Sequence, residues 1–149
     1  MSTPGDPGRV IALDLGARRI GVAVCDPEGR LASPYATIER STPPQVDTAV
    51  ARIVEEVGAA RVVVGLPLAL SGAHGEAAEA AEAEAERLRA ALGVPVETVD
   101  ERLSTVSASQ RLKSAGVNSR KQRQGGRIDQ EAAVVILESW LESRRSRRS

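Results

Sequence analysis

The sequence predicts an α/β domain, a mixed sheet of five strands covered by helices in the order βββαβαβαα. Three observations carry this reading. Apolar runs at 10–13 and 61–65 are continuous rather than alternating, as in strands buried on both faces. Between Ile20 and Ile38 two strand-like segments flank one short turn, with no room for a helix. Beyond Val46, segments of helical spacing alternate with apolar runs, the pattern of parallel strands joined by helical crossovers.

The elements follow in order. Val10-Ile-Ala-Leu13 is a central strand ending in Asp14-Leu15-Gly16. Ile20, Val22 and Val24, alternating with Gly21 and Ala23, make the second strand. Asp26-Pro-Glu-Gly29 is a turn and Leu31 to Ile38 the third strand, completing a meander. Ser41-Thr-Pro-Pro44 reads as a break. Val50, Ile53, Val54 and Val57 then define a helix over 46–57, stopped at Gly58. Arg61 to Gly65 is the fourth strand, 66–75 a loop, and Glu76 to Leu92 a long Ala/Glu helix closed by Gly93. Val94 to Val99 is the fifth strand, leading into Asp100-Glu101-Arg102. A helix is expected over 104–114, a polar basic loop over 116–126, and a last helix over 128–143 with an apolar stripe of Ala132, Val135, Ile136, Leu137 and Trp140. Residues 1–8 read as a flexible N-terminus, 9–143 as one domain, and 144–149 as a basic C-terminal tail.

Composition bounds what such a domain can do. At 149 residues, 42 % hydrophobic and 27 % charged, the chain suits a single soluble domain with an ample core. No apolar run is long enough to span a bilayer, and the start does not resemble a signal peptide, so no membrane partner is expected. Cys25 is the one cysteine, which excludes internal disulfides and multi-cysteine metal sites and suits a cytoplasmic location. Trp140 and Tyr35 are the only aromatics, so recognition of single strands by base stacking has little to work with. Net charge is zero but unevenly placed. Five glutamates and no basic residue lie between Glu76 and Glu86, while seven basic residues and no acid lie between Arg102 and Arg127. The second segment cannot neutralise itself and presents a local positive field.

Three places set polar groups against the pattern. Asp14 leaves a buried strand, where a carboxylate needs compensation by a cation, donors or solvent; it can equally cap the turn. Glu101 and Asp100 follow the fifth strand, and sheets of this kind take ligands beyond the carboxyl ends of parallel strands. Either could share a site with Asp14, or simply begin the next helix. Asp129 opens the last helix, where the helix dipole favours an acid in any case. Three carboxylates without a His or Cys cluster suit a hard ion such as Mg²⁺ or Mn²⁺. A pair of such ions can drive in-line displacement at phosphate, with neighbouring basic residues holding the polyanion. Other candidates are weaker. His74 reads as a surface residue and Cys25 as a small core residue. Ser104, Ser107 and Ser109 have no His/Asp partner, and the 65–75 loop lacks the Lys-Ser/Thr ending of a P-loop.

Four segments together carry a resemblance: Leu13-Asp-Leu-Gly-Ala-Arg-Arg-Ile-Gly-Val-Ala23, Val63-Val-Gly-Leu-Pro-Leu68, Val99-Asp-Glu-Arg-Leu-Ser104 and Ile128-Asp-Gln-Glu-Ala-Ala133. In this order the chain resembles the YqgF-type family of Holliday-junction-resolvase-like proteins, described as pre-16S rRNA nucleases, over roughly residues 9 to 143. The resemblance implies an RNase H-like fold, Mg²⁺- or Mn²⁺-dependent phosphodiester hydrolysis at Asp14, Glu101 and Asp129, and maturation of the 5′ end of 16S rRNA, with ribosomal particles as associated partners. Arg18, Arg19, Arg102, Arg120, Lys121, Arg123 and Arg127 are the expected contacts to the nucleic-acid backbone. The chain departs from the family in the loop Leu68-Ala-Leu-Ser-Gly72, where Asn and Asp are usual, and at Glu131, where an apolar residue is common.

Alternatives of other kinds remain at this point. A resolvase acting on branched DNA would use the same chemistry as a homodimer making paired cuts, whereas an RNA nuclease can be a monomer. A non-catalytic nucleic-acid-binding or transcription-associated module would tolerate loss of the acids. Asp14-Leu-Gly also resembles the first phosphate loop of sugar kinases and actin, but those need two lobes and 149 residues supply one.

Overall fold

The structure, a computed structural model, describes residues 8–16, 18–66, 75–100 and 127–148. One five-stranded sheet is built from β1 (Arg9–Leu15), β2 (Arg19–Cys25), β3 (Ala32–Glu39), β4 (Ala59–Leu66) and β5 (Val96–Asp100). The strand order is β3-β2-β1-β4-β5, with β1, β2 and β3 antiparallel and β1, β4 and β5 parallel. This is the mixed sheet the sequence predicts. The helices described are α1 (Pro43–Val57), α2 (Glu76–Ala91) and α3 (Arg127–Arg148). The helix expected over 104–114 and the basic loop over 116–126 lie outside the described residues.

Strand alternation divides the core in two. Ile11, Leu13, Ile20, Val22, Val62, Val64 and Val96 face α1 and α2, packing on Val46, Val50, Ile53, Ala85 and Leu88. Val10, Ala12, Ala23, Cys25 and Val63 face α3, packing on Ala133, Val134, Ile136, Leu137, Trp140 and Leu141. Cys25 is the core residue expected; burial pushes its thiol up from the ordinary range, and its Sγ accepts from the Val10 N–H at 3.2 Å. Covering both faces is what lets β1 and β4 read as unbroken apolar runs.

Several boundaries differ from the expected ones, each for a local reason. The Ser41-Thr-Pro-Pro44 break is in fact the start of α1. Thr42 caps it, its Oγ accepting from Gln45 N–H while the Gln45 side chain accepts from Thr42 N–H, and the prolines occupy the first turn, where no N–H is missed. The last helix does not stop at Ser143 but continues to Arg148, since no Gly or Pro interrupts it; the basic tail is thus mostly helical. The strand expected at 94–99 runs 96–100. The pairing of β3 with β2 shifts between the Val22–Ala36 and Ala23–Pro34 pairs, leaving Tyr35 as an extra residue. Ala32 therefore faces α3, whereas Ala36 and Ile38 face α1 and α2 and Thr37 faces α3. The Asp26–Gly29 turn forms as expected: Gly29, at φ 71°, donates to Asp26 O, and the Asp26 carboxylate accepts from Arg30 and Leu31 N–H.

Candidate active site

Asp14 sits one residue before the end of β1, half-buried, on the α3 face in line with Val10 and Ala12. Its antiparallel partner is Gly21, whose own partner across β2–β3 is Thr37. On the other side, Gly65 follows the Leu13–Val64 pair and is itself opposite Val99. The carboxylate is thus flanked on both neighbouring strands by glycine. The two residues that neighbour it in register thus carry no Cβ.

The first turn of α3 closes over this row. Gln130 Nε2 donates to Thr37 Oγ1 at 2.8 Å, joining the helix start to the strand two places from Asp14. Position 129, expected to carry a site acid, lies at this helix start. It heads the row 133, 136, 140, whose side chains are buried against the sheet. The side chain of Asp129 and all of Glu101 lie outside what is described. On β5 the positions Glu97 and Val99 share the face of Asp14, whereas Val96 faces α1 and α2. Among the described residues no group of three or more His, Cys, Asp or Glu gathers.

Of the expected backbone contacts, Arg19 lies on the face of Asp14, one alternation beyond Gly21, with its Nε on Glu39 Oε1 at 3.1 Å. Arg18 is exposed beside the β1–β2 turn. The side chain of Arg127 lies outside the description, as do Arg102, Arg120, Lys121, Arg123, His74, Ser104, Ser107, Ser109 and the 68–72 loop.

A polar network missed by sequence reasoning steadies the turn after Asp14. Gly16 N–H donates to Asp14 O, and Arg40 Nε donates to Gly16 O at 2.6 Å. Arg40 also donates through both Nη atoms to Glu84 of α2, at 3.0 Å each. Arg87 bridges Glu84 to Asp47 of α1. Glu84 is 8 % exposed, and burial alone would push its carboxyl up. Arg40, then Arg87, outweigh that and hold it below the ordinary range. The network thus ties both helices of one face to the loop that carries the site. Gln130 and Thr37 were also missed. The available signal was that Gln130 heads the i+3, i+4, i+7 series of Ala133, Val134 and Leu137 as its one polar member.

Far from the site, Trp140 packs between the guanidinium groups of Arg61, which is ion-paired to Glu97, and Arg144, at 5.8 and 5.3 Å from the ring centre. This fastens the other end of α3 to β4.

The chain is similar to known proteins in both sequence and fold. The family model RuvX, described as Holliday junction resolvase, matches residues 8–143. A protein of Chloroflexus aurantiacus described, like the one that follows, only by name as a pre-16S rRNA nuclease is 44 % identical over 137 residues, covering 92 % of this chain and 88 % of its own. One of Rhodococcus opacus is 47 % identical over 146 residues, covering 93 % and 81 %. Among solved structures, Thermus thermophilus RuvC in complex with Holliday junction substrate superposes with TM-score 0.57 at 16 % identity, covering 95 % of this chain and 96 % of that one. That likeness establishes the RNase H-like fold expected from the sequence motifs. With the fold, the position of Asp14 and these relatives in hand, the chain belongs to the RuvX family of Holliday-junction-resolvase-type proteins and is a nuclease.

Proposed function

We propose that the protein is a divalent-metal-dependent nuclease that hydrolyses phosphodiester bonds in structured RNA, with the 5′ leader of the 16S rRNA precursor as its substrate. The observation that carries the reading is Asp14 on its glycine-flanked strip, with the first turn of α3 fastened over the same row. The all-oxygen character of the expected donors fits Mg²⁺ or Mn²⁺ rather than a softer ion. In this reading Asp14, Glu101 and Asp129 hold one or two such ions, which when bound supply an activated water and stabilise charge on the scissile phosphate. Glycines beside Asp14 suit the close approach of a phosphate backbone. Arg19, held by Glu39 at the rim, together with Arg18, Arg102, Arg120, Lys121, Arg123 and Arg127, neutralises phosphates and orients the strand. Few aromatics and much arginine favour backbone recognition of a folded RNA over base stacking. In this reading the protein acts in the cytoplasm on ribosomal precursor particles, as a monomer or homodimer.

A second reading, cleavage of a four-way DNA junction, is favoured by the description of the matching family model, and it requires a homodimer for paired cuts. The deciding experiment offers the purified protein Mn²⁺ or Mg²⁺ with a labelled 16S leader RNA and a four-way DNA junction side by side, and Asp14→Asn as the blank. Metal-dependent cutting of the RNA alone, reduced at least about a hundredfold in the variant, supports the first reading; a lost charge–metal contact of several kcal/mol gives that factor. Paired symmetric cuts in the junction favour the second. Full activity in Asp14→Asn overturns both.

A further inference from the structure

We propose that Thr37 and Gln130 are positioning residues, a latch whose hydrogen bond ties the start of α3 to the strand row that carries Asp14. The inference rests on the nuclease reading above. The fully buried apolar anchors of α3 begin at Ala133 and continue through Val134, Ile136, Leu137, Trp140 and Leu141. Ahead of them Gln130, Glu131 and Ala132 are only half-buried. A first turn lacks intrahelical partners for its N–H groups and tends to fray. Among the described side chains, apolar packing therefore anchors α3 from Ala133 onward. Active constellations need placement to about 0.5 Å, and a 1 Å error can cost about a hundredfold in rate. The Gln130–Thr37 bond, 2.8 Å long and partly buried, supplies a restraint ahead of those anchors.

The geometry serves the site in two further ways. The latch is aimed by the β2–β3 irregularity. Without the extra residue at Tyr35, alternation from Ala32 would turn position 37 toward α1 and α2, and it is the bulge that turns Thr37 toward α3. Bulges commonly re-aim one side chain beside a functional site. In the register Gly21 stands between Thr37 and Asp14, about two strand spacings (~10 Å) apart, and carries no side chain. The flank of α3 that begins at Gln130 grips β3. The flank headed by position 129 ends at Trp140, which stacks under Arg61 of β4.

Thr37→Val keeps the β-branch and removes the hydroxyl; Thr37→Ser keeps the hydroxyl; Gln130→Met removes the other partner from the helix side. Each is compared with wild type for Mn²⁺ binding by titration in the absence of substrate. kcat and KM are then measured on whichever of the leader RNA or the DNA junction the wild type cuts. Thr37→Val and Gln130→Met are expected to weaken Mn²⁺ binding about tenfold and to lower kcat about ten- to a hundredfold, with KM within twofold. Thr37→Ser should recover to within about threefold. Should Thr37→Val fail to fold, Gln130→Met carries the same expectation. Wild-type Mn²⁺ affinity and kcat in the folded hydroxyl-less or amide-less variant overturn the latch while the nuclease reading stands. A wild type that neither binds Mn²⁺ nor cleaves either substrate overturns that reading, and the latch with it.

Discussion

Replacing Glu84 with Gln should lower the melting temperature at neutral pH by about 4–8 °C, and by progressively less on acidification. The carboxylate accepts three hydrogen bonds from two guanidinium groups, at 3.0, 3.0 and 3.2 Å, while 8 % exposed. A glutamine in the same place keeps one acceptor oxygen and turns an N–H toward a guanidinium N–H. One to two charge-assisted bonds are lost, each worth about 1.5–3 kcal/mol. Neither arginine is stranded, since Arg40 keeps the Gly16 carbonyl and Arg87 keeps Asp47. The cost therefore falls below the roughly 3–5 kcal/mol of leaving a buried charge alone, at about 2 kcal/mol. For a chain of this size about 2–4 °C accompany each kcal/mol.

The pH dependence follows from the sign of the shift. The folded Glu84 carboxyl is held below its unfolded value of 4.5, so its contribution is full above that value and disappears as pH falls through the folded one. Thermal unfolding of wild type and Glu84→Gln, followed by circular dichroism from about pH 7 to about pH 3, should show a gap constant near neutrality that closes on acidification. A gap under about 1 °C at pH 7, or one that widens in acid, would refute the account.

Two further outcomes test the core and a turn. Leu137→Ala, at a fully buried position between α3 and the sheet, should cost about 3 kcal/mol and about 6–12 °C, read by urea and thermal unfolding. Gly58→Ala should cost about 1 kcal/mol in the same assays; Gly58 ends α1 at φ 66° and a Cβ there meets nothing within 4 Å, so the cost is conformational alone.

Much of this protein was legible in one dimension. The continuous runs at 10–13 and 61–65 announced strands covered on both faces, and α1, α2 and α3 are where helical spacing placed them. Asp14 stood out because a carboxylate at the end of such a run demands an explanation. These signals are local: they depend on periodicities of two and 3.6 and on the chemistry of single residues. Other features are products of pairing. Nothing in Leu31 to Ile38 says that Tyr35 is an extra residue against β2, yet that one-residue slip decides that Thr37 faces α3. Gly21 and Gly65 are ordinary strand glycines in sequence, and only the register sets them on either side of Asp14. Arg40 and Glu84, 44 residues apart, become partners only when α2 packs on the sheet. The sequence by itself determined which segments form strands and helices and which acid is out of place. The tertiary structure decided which side chains share a face, because a strand turns its side chains over at every residue and register alone sets the phase.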